Sequence, residues 1–418
     1  MASIARPKSA SAVLLVSAVL LATISAAAVR AQTPAPQGPA LTLADAESRA
    51  LASNQTIAAA RLQRAVDAAG VEVARERPNP DLSFDDTRDT PRQALDVTVP
   101  LELGGKRSRR VDLAQAVLAS GEAELAHVII GVQNDVRRAY YQVVAADARV
   151  TLADDVQALA QRARDAAQAR FTAGEVAQSD VSQADLALDD TVNDATDARG
   201  EALAARANLN TLIGQPASTA LVPAGDLSAG PVPSLPDALT EASTVNAELA
   251  VLDRQIAEEA ARVNVAKSER APDFNAGGGV TWDAQPDFSV GWHFHADVVL
   301  PLFTQHQAGV TLEDAELDRL KTSRAARAAQ IAGDVTAAYA RLTSARTIVE
   351  HTQTRTLPLS VDVERMAQSA YAAGERNLTD LLQVLQQVRD IRLKALQSSL
   401  DFQLALADLE QAIGAPIR

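Results

Sequence analysis

Residues 171–216 read FTAGEVAQSDVSQADLALDDTVNDATDARGEALAARANLNTLIGQP, and 200 positions later residues 371–416 read YAAGERNLTDLLQVLQQVRDIRLKALQSSLDFQLALADLEQAIGAP. The two align without a gap and are identical at 13 of 46 positions, among them Ala-Gly-Glu near the start and Ile-Gly-x-Pro at the end. Self-similarity at a long, fixed offset marks a duplicated structural unit. The correspondence continues upstream, with Asp135 and Tyr140 matching Asp334 and Tyr339, Pro100 matching Pro301, and Asp45, Asn54 and Pro80 matching Asp237, Asn246 and Pro272. The chain is therefore one unit written twice, at 43–216 and 235–418, joined by a Pro/Gly-rich linker at 217–234.

Apolar spacing gives each unit its shape. Ile331, Val335, Ala338, Leu342, Ala345, Val349, Thr352, Thr356, Leu359, Val363, Met366 and Ala370 alternate in steps of four and three, as in a coiled-coil seam. The closing segments repeat it from Val181 to Leu212 and from Leu381 to Ala412. Each unit thus reads as a long helix (about 106–172 and 306–372), a tight turn at Gly174 or Gly374, and a return helix (about 178–213 and 378–413). A helix of about 67 residues is roughly 100 Å long, too tall for a single globule. The second long helix holds Pro358, and it has one residue more between Tyr339 and Tyr371 than the first has between Tyr140 and Phe171. That predicts a kink or π-bulge near 356–359.

Ahead of each long helix the period drops to two. Phe288, Val290, Trp292, Phe294, Ala296 and Val298 alternate with Ser289, Gly291, His293, His295 and Asp297. The preceding strand sets Phe274, Ala276, Gly278, Val280 and Trp282 against Asn275, Gly277, Gly279, Thr281 and Asp283, so the second unit carries strands over about 274–302. In the first unit, over about 81–103, Leu95, Val97, Val99, Leu101 and Leu103 alternate with Asp96, Thr98, Pro100 and Glu102, after a strand around Leu82 and Phe84. One hairpin alone reads as an ordinary sheet packed on helices. Two hairpins at equivalent places, each apolar on one face, read as segments of an outer-membrane barrel. Their lipid-facing residues are Trp282, Trp292 and Phe294, and their lumen-facing ones His293, His295 and Asp297. Four strands cannot close a barrel, which needs about eight at least, so the chain must oligomerise; three copies supply twelve.

Composition narrows the class. The 418 residues are 47% hydrophobic but only 3% aromatic, which suits closely packed Ala-rich helices. A formal charge of −14 argues against nucleic acid as a partner. The absence of cysteine removes disulfides, thiol chemistry, thiolate metal sites and an acylated N-terminal Cys. Arg6 and Lys8 precede an uncharged stretch from Ser9 to Val29, and small residues close it at Ala31, so residues 1–31 read as a secretory signal and 32–42 as a linker. Its removal takes the charge to −17. No later stretch reads as a membrane-spanning helix, which needs roughly 18 apolar residues.

With these features the chain resembles the TolC family of outer-membrane efflux channels over essentially its whole mature length. The resemblance rests on the duplicated hairpin-plus-helix-pair unit and on the strand exits Val99-Pro-Leu-Glu-Leu-Gly-Gly-Lys-Arg107 and Leu300-Pro-Leu-Phe-Thr-Gln-His-Gln307. It rests also on the Ala-Gly-Glu turns followed by Asp180 or Asp380. The first exit looks most like the CzcC-type branch, which partners resistance-nodulation-division (RND) pumps exporting heavy-metal cations. The resemblance implies a mainly α fold with a small β part, in which three copies form a 12-stranded barrel in the outer membrane on an α-helical periplasmic tunnel. It further implies an inner-membrane RND pump and a periplasmic adaptor, or membrane fusion protein, as partners, and outer-membrane lipid around the barrel. Multidrug efflux, type I protein secretion and a periplasmic coiled-coil scaffold are the alternatives.

Carried over by position, Asp380 matches the family's acidic ring at the periplasmic constriction, and Gln383 stands where a second acid is frequent. Tyr371 and Arg376 match side chains that bond across to the neighbouring helix pair, at the place of Asp180. The simpler account makes Asp180 and Asp380 helix N-caps, with Ser179 and Thr379 competing for that role. His293, His295, Asp297 and the nearby His306 invite a metal reading, but a conduit gains nothing from tight binding. They are taken as solvated lumen residues, and no metal or cofactor is assigned. No nucleophile with a base, phosphate loop or catalytic carboxylate pair has a usable spacing, so the chain reads as non-enzymatic.

Overall fold

The computed structural model describes residues 40–417, so the signal segment expected at 1–31 and most of the linker expected at 32–42 lie outside the described residues. In chain order come β1 (Ala40–Leu41), α1 (Leu43–Ser53), α2 (Gln55–Arg75), β2 (Asp81–Asp86), β3 (Gln93–Leu101), α3 (Lys106–Thr172), α4 (Gln178–Leu212) and β4 (Val222–Pro223). The second half runs α5 (Leu235–Val245), α6 (Ala247–Ser268), β5 (Asp273–Ala284), β6 (Phe288–Val299), α7 (Gln307–His351), a π-helical turn (Thr352–Thr356), α8 (Leu357–Ala372) and α9 (Leu378–Ile413). Apart from β1 and β4, which pair with each other in parallel, the second half repeats the order of the first.

The short helices are set by their caps. Thr42 Oγ1 accepts from the Asp45 N–H at 3.1 Å while the Asp45 carboxylate accepts from the Thr42 N–H, a reciprocal capping box. The Thr42 hydroxyl also donates to that carboxylate at 2.6 Å, and this bond first, then the one from the N–H, holds the Asp45 carboxyl below its ordinary pKa. Ser234 plays Thr42's part for α5, and Asn54 and Asn246 cap α2 and α6. Both hairpin tips close alike. Gly174 (φ +78°) and Gly374 (φ +76°) end the long helices left-handed, with Glu175 and Glu375 donating back to Arg170 and Ala370 at 2.9 Å.

The seam is buried where expected along α7, at Ile331, Val335, Ala338, Leu342 and Val349, and then changes register. Beyond the π turn the buried positions are Ser360, Ala367 and Tyr371, whereas Leu359 and Met366 of the expected series are 59% and 57% exposed. The cause is the extra residue. A π turn takes up one residue without advancing the helix face, so everything after it is displaced by one position. The turn sits just ahead of Pro358, whose missing N–H suits it to the first turn of α8.

Helix α9 is buried on two sides. Phe402, Ala405 and Leu409 face α7, Gln403 donates to the Ser228 carbonyl of the linker at 2.7 Å, and Ala407 and Glu410 face the other half of the chain. There Asn134 Nδ2 on α3 donates to the Ala407 carbonyl at 2.6 Å, and Arg137 pairs with Glu410 and, at 3.4 Å, with Glu47. Burial pushes the Glu410 carboxyl up and Arg137 opposes it. Over one 18-residue window α3 is also apolar enough, by length and composition, to cross a membrane, which corrects the expectation that no later stretch qualifies. The apolar run there is interrupted by Glu122, Glu124 and His127, and α3 packs against α2 and α6.

Candidate functional site

The four long strands form one antiparallel sheet in the order β2-β3-β5-β6, so that β3 of the first half pairs with β5 of the second. Register places every apolar alternate on one face. Leu82 lies opposite Val97, Val97 opposite Gly278 and Gly278 opposite Phe294; Phe84, Leu95, Val280 and Trp292 form the next row. Trp292 and Phe294 are 76% and 87% exposed, a large cost in water for a face whose polar residues, Asp86 and Gln93, stand only in the row of Trp282 at its end. Trp282 lies on the same face, half-buried beside Phe84, with its indole N–H donated to Gln93. The outer edges of β2 and β6 have no strand partner among the described residues.

The opposite face is polar and carries a contact that periodicity alone does not reveal. Asp96, Gly279 and His293 are paired across three strands, and Thr98, Gly277 and His295 form the adjacent row. His293 Nε2 lies 2.5 Å from Asp96 Oδ1, and His295 Nε2 lies 3.2 Å from Thr98 Oγ1 and 3.8 Å from Asp297 Oδ2. Asp96 and Thr98 were visible in the sequence as polar alternates of their strand. What the sequence lacked was the register between the two halves.

Where β3 becomes α3, the Gly104-Gly105 pair turns the chain with φ of +68° and +77°. A Cβ at Gly104 would collide with that of Ala271. Lys106 is buried there and bonds Asp273 at 2.6 Å and Glu269 at 3.4 Å, tying the first strand exit to the second half. Burial works against its charge, but the two carboxylates outweigh it and hold its pKa above the ordinary value.

At the far end of the helices, Tyr371 is 4% exposed among Ala163, Ala167, Ala184, Leu378 and Leu381. Its hydroxyl has no partner among the described residues, and the Arg170 guanidinium lies over its ring at 5.2 Å. Arg376 is exposed, and among the described residues its guanidinium forms no bond. Asp180 and Asp380 are half-exposed and Gln383 is exposed. Neither acid is an N-cap, which corrects that account. Asn377 caps α9 by accepting from the Asp380 N–H at 2.8 Å, and Ala177 begins α4 with no side-chain cap. Both acids stand one turn in, near the positive end of the helix dipole, with their carboxylates uncommitted to a cap. Thr379 instead approaches Gln183 of the other return helix at 3.5 Å, and Arg389 pairs with Asp194 at 2.9 Å.

The model for the family described as "Outer membrane efflux protein" matches residues 47–215 and 238–415, one match per repeat. The chain is 26% identical over 363 residues to the cobalt-zinc-cadmium resistance protein CzcC of Cupriavidus metallidurans, covering 85% of this chain and 86% of that one. Its fold is similar to the open-state MtrE outer membrane channel of Neisseria gonorrhoeae (TM-score 0.73, 17% identity, 89% of each chain). It is likewise similar to the outer membrane protein VceC of Vibrio cholerae (TM-score 0.72, 14% identity, 90% of this chain and 97% of that one).

Proposed function

The chain belongs to the outer membrane efflux protein family, and on that premise we propose that it is the trimeric exit duct of a tripartite pump for heavy-metal cations. The observation that carries the duct is the sheet. An apolar face that is continuous over four strands, together with two unpaired edges, is unstable in water and untenable in lipid until other copies pair with β2 and β6. Three protomers would give twelve strands, enough for an open barrel with the polar face inside.

Below the barrel, the paired long helices would form the periplasmic tunnel, closed at the turns bearing Gly174 and Gly374. Tyr371, Arg376, Asp180 and Asp380 would make up the gate. A duct of this kind moves cargo passively, so an inner-membrane RND pump and a periplasmic adaptor must supply the energy and the delivery. Similarity to a protein named for cobalt, zinc and cadmium resistance favours divalent cations as that cargo.

The test is a deletion strain complemented with the gene and challenged separately with Co²⁺, Zn²⁺, Cd²⁺ and a panel of organic toxins. Tolerance restored to the metals alone supports the reading. Restoration confined to organic toxins, or loss only of a secreted polypeptide, would replace the cargo while keeping the duct.

A further inference from the structure

The two histidines on β6 reach over an intervening strand, and they can do so because that strand has no side chains beneath them. A Cβ built on Gly277 would run into the His295 ring, and one on Gly279 would run into the Asp96 carboxylate. Strands lie about 4.8 Å apart, so β3 and β6 are separated by roughly 10 Å, and only glycine between them lets their side chains meet above the sheet. The outcome is a cluster in which one carboxylate oxygen of Asp96 and one ring nitrogen each of His293 and His295 all lie within 4.8 Å of one another. All three side chains are half-buried and open to the polar face, and the two rings are stacked with centroids 6.1 Å apart.

We propose that Asp96, His293 and His295 form an exchangeable binding site for a divalent first-row transition-metal cation, one per protomer, on the inner wall of the barrel. The donor set selects the ion. Two imidazole nitrogens with one carboxylate oxygen suit Zn²⁺, Co²⁺, Ni²⁺ or Cu²⁺, whereas Mg²⁺ and Ca²⁺ prefer all-oxygen shells and Cu⁺ prefers sulfur. A cation about 2.0–2.2 Å from each donor would replace the present contact between His293 and Asp96, and small side-chain rotations suffice to bring the donors in. Asp297, with its Oδ2 3.8 Å from His295 Nε2, or water completes the shell. An incomplete protein shell on an accessible face lets the ion leave as readily as it arrives, which is what a conduit needs. Placement on the inner wall rests on the barrel reading above; the cluster itself does not.

The experiment uses the purified mature trimer in detergent, titrated with Co²⁺ and followed by its visible absorption. The expected result is a saturable spectrum of low-coordinate Co²⁺ at one ion per protomer, displaced by Zn²⁺ and not by Mg²⁺. His293→Gln with His295→Gln should weaken binding by about tenfold or more. Gly277→Val, which keeps every donor but fills the floor of the cluster, should weaken it as well. If the double variant does not assemble, Asp96→Asn gives the same comparison. A wild-type spectrum that stays that of the aqua ion, or equal binding in wild type and ligand variants, would overturn the site. Stoichiometric Co²⁺ binding by a protein that gives cells no metal tolerance would sink the cargo reading and leave the site. Metal tolerance without such binding would do the reverse.

Discussion

Asn54 and Asn246 hold the same joint in the two halves of the chain. Each accepts from the first N–H groups of the helix it caps and donates through Nδ2 to the end of a return helix, Asn54 to Leu212 at 2.8 Å and Asn246 to Ile413 at 2.9 Å. One amide thus satisfies groups at two helix ends, donors on one side and a carbonyl on the other. Gly214 and Gly414, at φ of +71° and +74°, lie against these joints so closely that a Cβ would strike Ser53 and Asn246 respectively.

Asn54→Ala and Asn246→Ala should therefore each lose both a cap and a buried acceptor's partner, about 1–3 kcal/mol apiece. Thermal melting of the trimer by circular dichroism measures this. Asn→Asp should retain the cap and lose only the donation, falling between wild type and Ala. Wild-type melting in both alanine variants would show that the joints carry no stability.

The apolar face makes a directional prediction. Trp292→Arg should cost about 2–4 kcal/mol if that position sits near the bilayer midplane, whereas His293→Arg, one residue along on the opposite face, should cost little. Heat-stable trimer recovered from outer membranes reads the difference. Equal losses in the two variants would place lipid on neither face.

Glu259 on α6 is 6% exposed and lies beside Glu313 of α7, with Arg262 as its nearest cation at 3.3 Å. Burial, and then the shared proton and repulsion with Glu313, push its pKa up from 4.5 to about 7. Between those values the folded protein binds more protons than the unfolded chain, so stability falls as pH rises from about 4.5 through about 7. Glu259→Gln should raise the melting temperature at pH 8, change it little near pH 4.5, and flatten the profile between. A variant whose profile runs parallel to wild type would exclude this pair as the source.

The tip offers a test that separates gate from core. The Tyr371 hydroxyl is buried without a partner among the described residues, so Tyr371→Phe should leave the helix pair as stable as before or slightly more so. If that hydroxyl and Arg376 bond the neighbouring pair at Asp180, Tyr371→Phe with Arg376→Ser should raise single-channel conductance in planar bilayers. Asp380 then becomes the constriction, and Asp380→Ala should weaken block by multivalent cations added from the periplasmic side. Unchanged conductance in the double variant would move the gate elsewhere.

The duplication, the helix lengths and the greasy strand face were legible because each rests on spacing within one segment. Period two placed Trp292 and His293 on opposite faces, and period seven picked out Leu342 and Leu409 as core. What stayed hidden depends on relations between segments. The shift of burial from Met366 to Ala367 follows from the π turn at Thr352–Thr356, which the extra residue and Pro358 announced but placed a few residues too late, at 356–359. Asp96 beneath His293 requires the pairing of β3 with β5, which no local pattern encodes. Asn377 took the cap from Asp380 because Asn, like Asp, serves there, and the acid three residues on gains from the helix dipole in either case.

The open flanks of β2 and β6 also have a genetic reading. In the proposed ring every copy must present both flanks to close the circle, so an allele with one spoiled flank does not merely lose its own product. It enters assemblies with normal copies and breaks them, and such an allele should be dominant over the wild type, increasingly so as its expression rises. An allele damaged at Asp380, which leaves both flanks intact, would instead enter complete rings and alter their conduction in proportion to the copies it contributes.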